Sequence, residues 1–154
     1  FALEASSPSL LETLRAMALA LEGTPVVLGA GDKVLYHAAA VIACNYLVTL
    51  AKMATDLWET FGVPRNEALR ALLPLVQGTA NNLDKVGLPN ALTGPVSRGD
   101  LGTIEKHLHA LAERAPNLLP AYRELGRQTI PIALAKGRLA PQRAEELMAL
   151  LEAK

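Results

Sequence analysis

Most of the chain carries apolar residues at the spacing of amphipathic helices, with two short exceptions near the N-terminus. Phe1 to Glu4 and Pro25 to Leu28 are brief apolar runs that predict strands. Between them a helix is predicted to begin at Ser7-Pro8 and to end at Gly23, with apolar positions at Leu10, Leu14, Met17 and Leu21. Because two strands cannot form a stable sheet alone, we interpret this β-α-β unit as the last piece of a larger α/β domain.

From Asp32 onward the pattern predicts only helices. The first of them is predicted to run from Asp32 to about Thr60, which is roughly 43 Å at 1.5 Å per residue. Its centre, HAAAVIACNYLVTLA, is apolar around the whole circumference, a pattern typical of a helix that is covered on every side. We therefore expect other helices of this domain to surround it, together with a second subunit or a preceding domain.

Further helices follow the long one, each marked by residues that start or stop a helix. Their predicted ranges are residues 64–86 with Pro74 as a kink, residues 101–114, residues 116–136 bent or broken near Pro131, and residues 141–153. Asp100 is expected to cap the second of these helices, whose apolar stripe is Leu101, Ile104, Leu108 and Leu111. The last helix is expected to have an apolar face formed by Leu147, Leu150 and Leu151. The whole pattern predicts a mainly α fold.

Composition and charge narrow the range of partners. Hydrophobic residues make up 51% of the chain and aromatic residues 4%, a balance that suits close-packed helices. Fifteen basic and fifteen acidic residues cancel, so neither nucleic acid nor an anionic membrane surface is an expected partner. The longest apolar run, Ala38 to Cys44, is far shorter than the roughly 20 residues that span a bilayer. Cys44, the single cysteine, suits a reducing cytoplasm and is expected to be a small buried residue.

The stretch VVLGAGDKV carries part of a dinucleotide-binding fingerprint. Gly29 and Gly31 fill the first two glycine positions of G-x-G-x-x-G, but the third position is Val34. The motif also has an acidic residue about 20 residues further on, at the end of a second strand. The nearest candidate in this chain is Asp56, which lies in the predicted long helix. We therefore favour a structural interpretation, in which the glycines form a turn and Asp32 caps the long helix.

Two polar residues of the long helix are candidates for chemistry. His37 can act as an acid or a base, although a lone histidine on an apolar helix is more often a hydrogen-bonded core residue. Asn45 places an amide in the apolar centre of the helix, where it must find polar partners. In a regular helix the two residues are about 80° apart around the axis and roughly 12 Å apart along it, so they can line one groove without touching.

The loop TGPVSRGD is the most specific local feature of the chain. Gly94 and Gly99 predict a turn into a helix N-terminus, a position that favours anions, and Arg98 adds a positive charge. The alternative is an ordinary turn with a solvated arginine. No metal site is predicted, because His107 and His109 point about 200° apart on a helix.

Three segments together resemble a known family: DKVLYHAAAVIACNYLVTL, LTGPVSRGDLGTIEKHL and AYRELGRQTIPIA. They resemble the C-terminal domain of Rossmann-like proteins that carry the domain of unknown function 2520, and the resemblance spans nearly the whole chain. Those proteins are similar to pyrroline-5-carboxylate reductase, prephenate dehydrogenase and the 6-phosphogluconate dehydrogenase group. In these enzymes an N-terminal domain binds NAD(P), and a helical domain dimerises and closes the active site.

The resemblance implies a role for each part of the chain. Residues 1–31 correspond to the last β-α-β unit of a truncated Rossmann-like domain, and residues 32–154 to a helical bundle of the 6-phosphogluconate dehydrogenase C-terminal type. His37 and Asn45 are implied to face the interdomain cleft as catalytic residues. The implied substrate-binding residues are Thr93, Gly94, Pro95, Arg98 and Asp100. A lysine acid-base mechanism is not implied, because the residue four positions before Asn45 is Val41.

The resemblance also implies an activity. The full-length protein is expected to be a cytoplasmic, homodimeric NAD(P)-dependent oxidoreductase that reduces a small C=N or C=O compound or catalyses the reverse reaction. NAD(P) is expected to bind mainly to a missing N-terminal domain, so the fragment alone is expected to be inactive. The alternative is a catalytically silent dimeric binding or sensing module that has kept a dehydrogenase-like fold.

Overall fold

The computed structural model describes residues 1–153, which are mainly helical. A short parallel pair of strands and a helix come first, and helices make up most of the remaining described chain. The chain divides into two compact units, one from Phe1 to Leu50 and the other from Ala51 onward. The predicted mainly α fold with a β-α-β unit at its start is confirmed. The predicted domain boundary between residues 31 and 32 stays a prediction.

The first unit opens with the β-α-β arrangement. Strand β1 (Ala2–Leu3) pairs in parallel, residue for residue, with strand β2 (Val26–Val27). Parallel strands need a crossover connection, and helix α1 (Pro8–Ala20) is that connection. The Ser7 hydroxyl caps α1 by accepting a hydrogen bond from a backbone N–H of the first turn at 3.3 Å. The helix therefore begins where the sequence predicts it.

The long apolar helix is present, but it is not a regular α-helix throughout. It consists of α2 (Asp32–Ala40), a π-helical segment (Val41–Asn45) and α3 (Tyr46–Glu59). In the π segment the N–H of Tyr46 donates to the carbonyl of Val41, five residues earlier. Such segments are rare in proteins, and many of those that occur lie at functional sites. The hydrophobic pattern predicted the helix and its length but not this change of register.

The first two thirds of this helix are exposed in the single chain. All side chains of residues 32–50 are exposed except those of Ala40 and Val41, which are half-buried. The prediction that other helices of the same domain cover this stretch is therefore wrong, and Cys44 is exposed rather than buried. Within this stretch the most exposed large apolar side chains are those of Val34, Leu35, Ile42 and Val48, at 75%, 72%, 64% and 71%. Cover by a second subunit or another domain stays a prediction.

The stretch Asp32–Glu59 also has a length and an apolar composition sufficient to cross a membrane. The longest uninterrupted apolar run did not indicate this, because it ends at Cys44 and the stretch continues past the polar Asn45. A single helix of this kind is weak evidence for a membrane protein, since a core helix of a water-soluble protein meets the same two criteria.

The second unit is a helical bundle that includes the end of α3. Its further elements are α4 (Arg65–Val86), α5 (Pro95–Arg98), α6 (Leu101–Arg114), a 3₁₀ turn (Pro116–Leu118), α7 (Leu119–Ala135) and α8 (Pro141–Glu152). One detail differs from the prediction: the stretch taken for a loop contains the short helix α5. At Pro131 a bend or a break was predicted, and the break does not occur, because α7 continues through this residue.

The main core of the second unit lies among α5, α6, α7 and α8. Ile104 of the predicted α6 stripe is 1% exposed, and Leu147 and Leu151 of the predicted α8 face are 0% exposed. Complete burial of one such aliphatic side chain stabilises the fold by about 1.5–3 kcal/mol. The apolar faces predicted for α6 and α8 are therefore the faces that build this core.

A smaller apolar cluster joins α6 and the 3₁₀ turn to the end of α3. Leu111, Ala115 and Leu118 are its buried members, and the half-buried Met53 and Leu57 of α3 pack against them. The last two turns of α3 are thus part of the second unit.

Candidate functional site

The turn between β2 and α2 is shaped around Asp32. The N–H of Gly29 donates to a carboxylate oxygen of Asp32 at 3.0 Å, and a Cβ on Gly29 would lie 2.8 Å from that oxygen. Gly31 has a φ of 91°, a left-handed conformation that favours glycine, and it occupies the N-cap position of α2. Asp32 is the first residue of the helix, so the prediction that Asp32 is its cap is wrong.

This turn does not fit the pyrophosphate of a dinucleotide. In the fingerprint motif, backbone N–H groups at the start of the helix must face the phosphates. Here the N–H of Gly29 is taken by an acidic side chain, which would also repel an anion. We conclude that the turn is structural, as the departures from the glycine pattern had indicated.

Asp56, the acidic residue considered for the fingerprint, takes part in a group of surface ion pairs. Its carboxylate pairs with Lys52 one turn earlier and with Arg65 at 3.0 Å, and Arg65 also reaches Glu59 at 2.8 Å. The hydrogen bond from Lys52 is the largest cause that lowers the pKa of the Asp56 carboxyl below its ordinary value. Asp56 therefore has a structural role in joining the end of α3 to the start of α4.

His37 and Asn45 both lie on the exposed part of the long helix. His37 belongs to α2, Asn45 is the last residue of the π segment, and both side chains are exposed. The amide of Asn45 thus meets water rather than a buried partner within the chain. One additional residue per turn in the π segment rotates the following residues by up to about 100°, so the separation of about 80° expected for a regular helix does not apply.

The loop predicted to favour anions folds as one helical turn between two glycines. Gly94, with a φ of 96°, precedes α5, and Gly99, with a φ of 66°, follows it. Val96 and Ser97 of this turn are buried, whereas Arg98 is exposed. A Cβ on Gly99 would lie only 2.5 Å from Cγ of Arg143, a distance that explains why glycine is needed there. The loop is thus held against the bundle while its arginine faces solvent.

Asp100 is engaged in the cap of α6. Its carboxylate accepts hydrogen bonds from the hydroxyl of Thr103 at 2.6 Å and from the N–H of Thr103 at 3.1 Å. These bonds, the hydroxyl one first, lower the pKa of the carboxyl below its ordinary value of 3.8. The predicted cap is confirmed. Because Asp100 is used by the fold, Arg98 is the charge of this loop that is open to an external anion.

The predicted site residues fall into two groups. The predicted catalytic pair, His37 and Asn45, lies in the first unit. The predicted substrate-binding residues lie in the second unit, in and beside α5, and are Thr93, Gly94, Pro95, Arg98 and Asp100. That His37 and Asn45 face an interdomain cleft, and that the loop residues bind substrate, stay predictions.

The second unit also contains a pocket that the sequence pattern did not reveal. Its volume is about 360 Å³, and the residues that define its walls include Leu57, Phe61, His107, Leu111, Arg114 and Tyr122. Three of these residues stand at positions i, i+4 and i+7 of α6 and therefore share one helix face. That spacing is the one local signal of the pocket, since its other walls come from distant parts of the chain.

The two histidines of α6 have separate partners. His107 Nδ1 lies 2.8 Å from the phenolic oxygen of Tyr122, and His109 Nε2 lies 3.3 Å from the carboxylate of Glu113. Burial raises the pKa of the Tyr122 phenol, which stays protonated at neutral pH. In residues 1–153 there is no group of three or more His, Cys, Asp or Glu side chains that could hold a metal ion.

Comparisons with known proteins place this geometry in context. Residues 1–129 match a protein family described as a domain of unknown function (DUF2520). The chain is also similar to the crystal structure of a putative NADP oxidoreductase from Bacteroides fragilis, with 29% sequence identity and a TM-score of 0.66. That match covers 85% of this chain and 49% of the other, so this chain spans about half the length of the Bacteroides fragilis protein. No curated protein matches the chain.

Proposed function

Because the chain belongs to the family defined by the domain of unknown function DUF2520, we propose that it is the dimerisation and substrate-side part of an NAD(P)-dependent oxidoreductase. The observation that carries this proposal is the similarity in fold and sequence to the Bacteroides fragilis protein described as a putative NADP oxidoreductase. Since the match covers 85% of the chain, most of the fold described above is shared with that protein.

The cofactor, in this proposal, is bound by a part of the full-length protein other than the glycine turn of this chain. The turn is closed by its own Asp32, which leaves no place for a pyrophosphate at Gly29. The chain corresponds to 49% of the Bacteroides fragilis protein, and the other half of a protein of that size is large enough for a nucleotide-binding domain. Both observations support a cofactor site outside residues 1–154.

The substrate is proposed to be a small compound with a C=N or C=O bond, or its reduced form. Arg98 would hold an anionic group of the substrate, because its guanidinium is exposed and stands on a turn that is packed against the bundle. Asn45 would orient the substrate through its amide. His37 would donate a proton to the nitrogen or oxygen atom of the reduced bond, or accept it in the reverse direction.

The exposed apolar stretch of the long helix supports the dimer that this proposal includes. Val34, Leu35, Ile42 and Val48 are all more exposed than buried, and large exposed apolar surfaces mark interfaces between subunits. A second copy of the chain would cover this stretch as the sequence pattern requires. We also propose a cytoplasmic location, where the exposed thiol of Cys44 stays reduced.

The proposal is tested on the full-length protein, with NADPH and NADH titrations followed by turnover of a cyclic imine and of a small 2-oxo acid. We expect nucleotide binding, and we expect His37→Ala and Arg98→Ala each to lower kcat/KM by about tenfold or more. Both residues are exposed, so the melting temperature should change by less than about 2 °C. Arg138→Ala, which changes another exposed arginine of the second unit, is the matched control and should keep full activity.

The possible results separate the proposed enzyme from its alternative. Absence of nucleotide binding by the full-length protein would contradict the proposal. Full activity in both His37→Ala and Arg98→Ala would remove these residues from the mechanism. Nucleotide binding without turnover of either substrate class would favour the catalytically silent dimeric binding or sensing module.

A further inference from the structure

We propose that the pocket bounded by α3, α6 and α7 binds a small carboxylic acid with an aromatic or aliphatic body, at a site separate from the proposed substrate loop. Its volume of about 360 Å³ falls within the range of about 300–1,000 Å³ that is usual for small-molecule sites. All the residues that line it belong to the second unit, and they include none of the predicted catalytic or substrate-binding residues.

The apolar walls suit the body of such a ligand. Leu57 at the end of α3, Phe61 just after it and Leu111 of α6 all line the pocket. Leu111 is held by the smaller apolar cluster, whereas Phe61 is 55% exposed. A ligand that fills the pocket therefore covers apolar surface that the fold itself leaves in water, which favours binding.

Arg114 supplies a positive charge at one end of the pocket. Its guanidinium donates a hydrogen bond of 2.6 Å to the backbone carbonyl of Thr60, and both residues line the pocket. No carboxylate of residues 1–153 forms an ion pair with Arg114. Most of its five N–H donors are thus open, and the planar guanidinium matches the two oxygens of a carboxylate.

The hydrogen-bonded pair of His107 and Tyr122 lies toward the other end. The two rings pack edge to face, with their centroids 5.9 Å apart. If the phenol donates to Nδ1, the N–H at Nε2 is open; if Nδ1–H donates to the phenol, the O–H is open. Either tautomer leaves one donor for the far end of a ligand. His107 and Arg114 are about 10 Å apart along α6, which leaves room for about one aromatic ring between the two polar ends.

The charge of Arg114 decides the test, because it distinguishes an acid from a neutral compound of the same shape. Phenylacetate and phenylacetamide are suitable probes, since they differ only in replacement of the carboxylate by an amide. Trp58 gives the signal: it is the one tryptophan of the chain, and its ring centroid is 5.6 Å from that of Phe61 in the pocket wall. The experiment is a fluorescence titration of the purified protein, without nucleotide, up to about 10 mM of each probe.

We expect phenylacetate to change the Trp58 fluorescence saturably and phenylacetamide to bind about tenfold more weakly or worse. Arg114→Met should bring the affinity for phenylacetate down to that for phenylacetamide, and Arg114→Lys should retain part of the difference. Arg138→Met, the matched control, alters an exposed arginine that does not line the pocket and should bind both probes as the unmodified protein does.

Equal affinity for the two probes, or no saturable change with phenylacetate, overturns the proposal. Both results come from the unmodified protein, so they decide the question even if Arg114→Met fails to fold, which circular dichroism would reveal. A phenylacetate affinity unchanged in a folded Arg114→Met variant also overturns it. The titration contains no nucleotide and follows no turnover, so its outcome is independent of the proposed oxidoreductase function.

Discussion

The backbone N–H of Gly29 donates a hydrogen bond of 3.0 Å to the carboxylate of Asp32. Gly29 and Gly31 have the spacing of the fingerprint, but in the turn that they form the N–H of Gly29 is already hydrogen-bonded to Asp32. The bond depends on glycine, because a Cβ at position 29 would lie 2.8 Å from the carboxylate oxygen. In this chain the glycine spacing is a requirement of the turn and not of a cofactor.

This relationship predicts how Gly29→Ala behaves in the full-length protein. The added methyl group should displace the carboxylate of Asp32, with loss of a hydrogen bond and a decrease of about 2–4 °C in melting temperature. The dissociation constant for NADPH, measured by isothermal titration calorimetry, should change by less than about twofold. Asp32→Ala is the control that removes the same hydrogen bond without a clash. A tenfold loss of NADPH affinity in Gly29→Ala would place the cofactor at this turn and contradict our interpretation.

The cap of α6 predicts a pH-dependent difference between two variants of Asp100. Asp100→Ala should lower the melting temperature at pH 7, whereas Asp100→Asn should stay close to the unmodified protein, because asparagine is an equally good N-cap. Hydrogen bonds from Thr103 lower the pKa of the Asp100 carboxyl in the folded state. The contribution of this group is therefore fully present above the ordinary value of 3.8 and is lost as the pH falls through the folded pKa.

Thermal melts between pH 7 and pH 2 check this prediction. The difference in melting temperature between the unmodified protein and Asp100→Ala should shrink as the carboxyl of Asp100 becomes protonated. The side chain of Asp100→Asn does not titrate, so this variant should not show the loss of melting temperature that comes from protonation of Asp100. A constant difference over the whole range would mean that the charge of Asp100 has no part in the cap.

Gly99 and Gly137 form a matched pair that separates backbone strain from steric overlap. Both have a positive φ, 66° for Gly99 and 74° for Gly137. A Cβ on Gly99 would lie 2.5 Å from Arg143 Cγ and 3.0 Å from Leu139 Cδ1. A Cβ on Gly137 would have no neighbour within 4 Å. Gly137→Ala should lower the free energy of unfolding by about 1–2 kcal/mol, the cost of the left-handed conformation. Gly99→Ala should lower it by a further 1–3 kcal/mol or so.

Urea denaturation of both variants measures these free energies. Equal losses would show that the side chain of Arg143 moves aside without cost, and that the loop of Arg98 is less firmly held than its contacts suggest. A larger loss for Gly99→Ala would support a rigid loop, which the proposed role of Arg98 requires.

The exposed face of the long helix predicts the effect of a charge at position 42. Ile42 is 64% exposed in the single chain, so Ile42→Glu should leave the fold intact. In the proposed dimer the glutamate would lie buried and unpaired between two subunits, and the dimer should dissociate. Sedimentation velocity measures the oligomeric state. Leu134→Glu, at an exposed position of α7, is the control and should not change it. An Ile42→Glu variant that remains a dimer would exclude this face as the interface.

Local interactions explain which elements the sequence predicted correctly. The caps at Ser7 and Asp100 each depend on residues within one turn of the chain. The same holds for the ends of the helix predicted over residues 64–86, which lies between Pro64 and Gly87. The apolar faces of α6 and α8 follow from spacing alone, and they became the core of the second unit. Family membership followed from the resemblance of three longer segments, and the family match over residues 1–129 confirms it.

The errors arose where a local pattern has more than one physical solution. An apolar stretch favours a helix but cannot specify its hydrogen-bond register, so the π segment at Val41–Asn45 was not predicted. Asp32 was expected to cap α2, yet its carboxylate accepts a hydrogen bond from the N–H of Gly29 instead. An acidic residue at this position can accept from either N–H, and the local sequence does not distinguish the two. Cys44 was expected to be buried, but burial depends on which surface covers a residue and not on the residue itself.

By itself, the sequence determined the helices, most of their ends and the β-α-β opening, because these depend on short-range periodicity and on residues close together in the chain. The family followed from the resemblance of three longer segments, and the family match over residues 1–129 confirms it. Only the tertiary structure decided which side chains meet. His107 and Tyr122, fifteen residues apart, share a hydrogen bond, and Arg114 reaches the carbonyl of Thr60 across 54 residues. Such contacts depend on how helices pack against one another, and no local spacing encodes them, so the pocket appeared only in the folded chain.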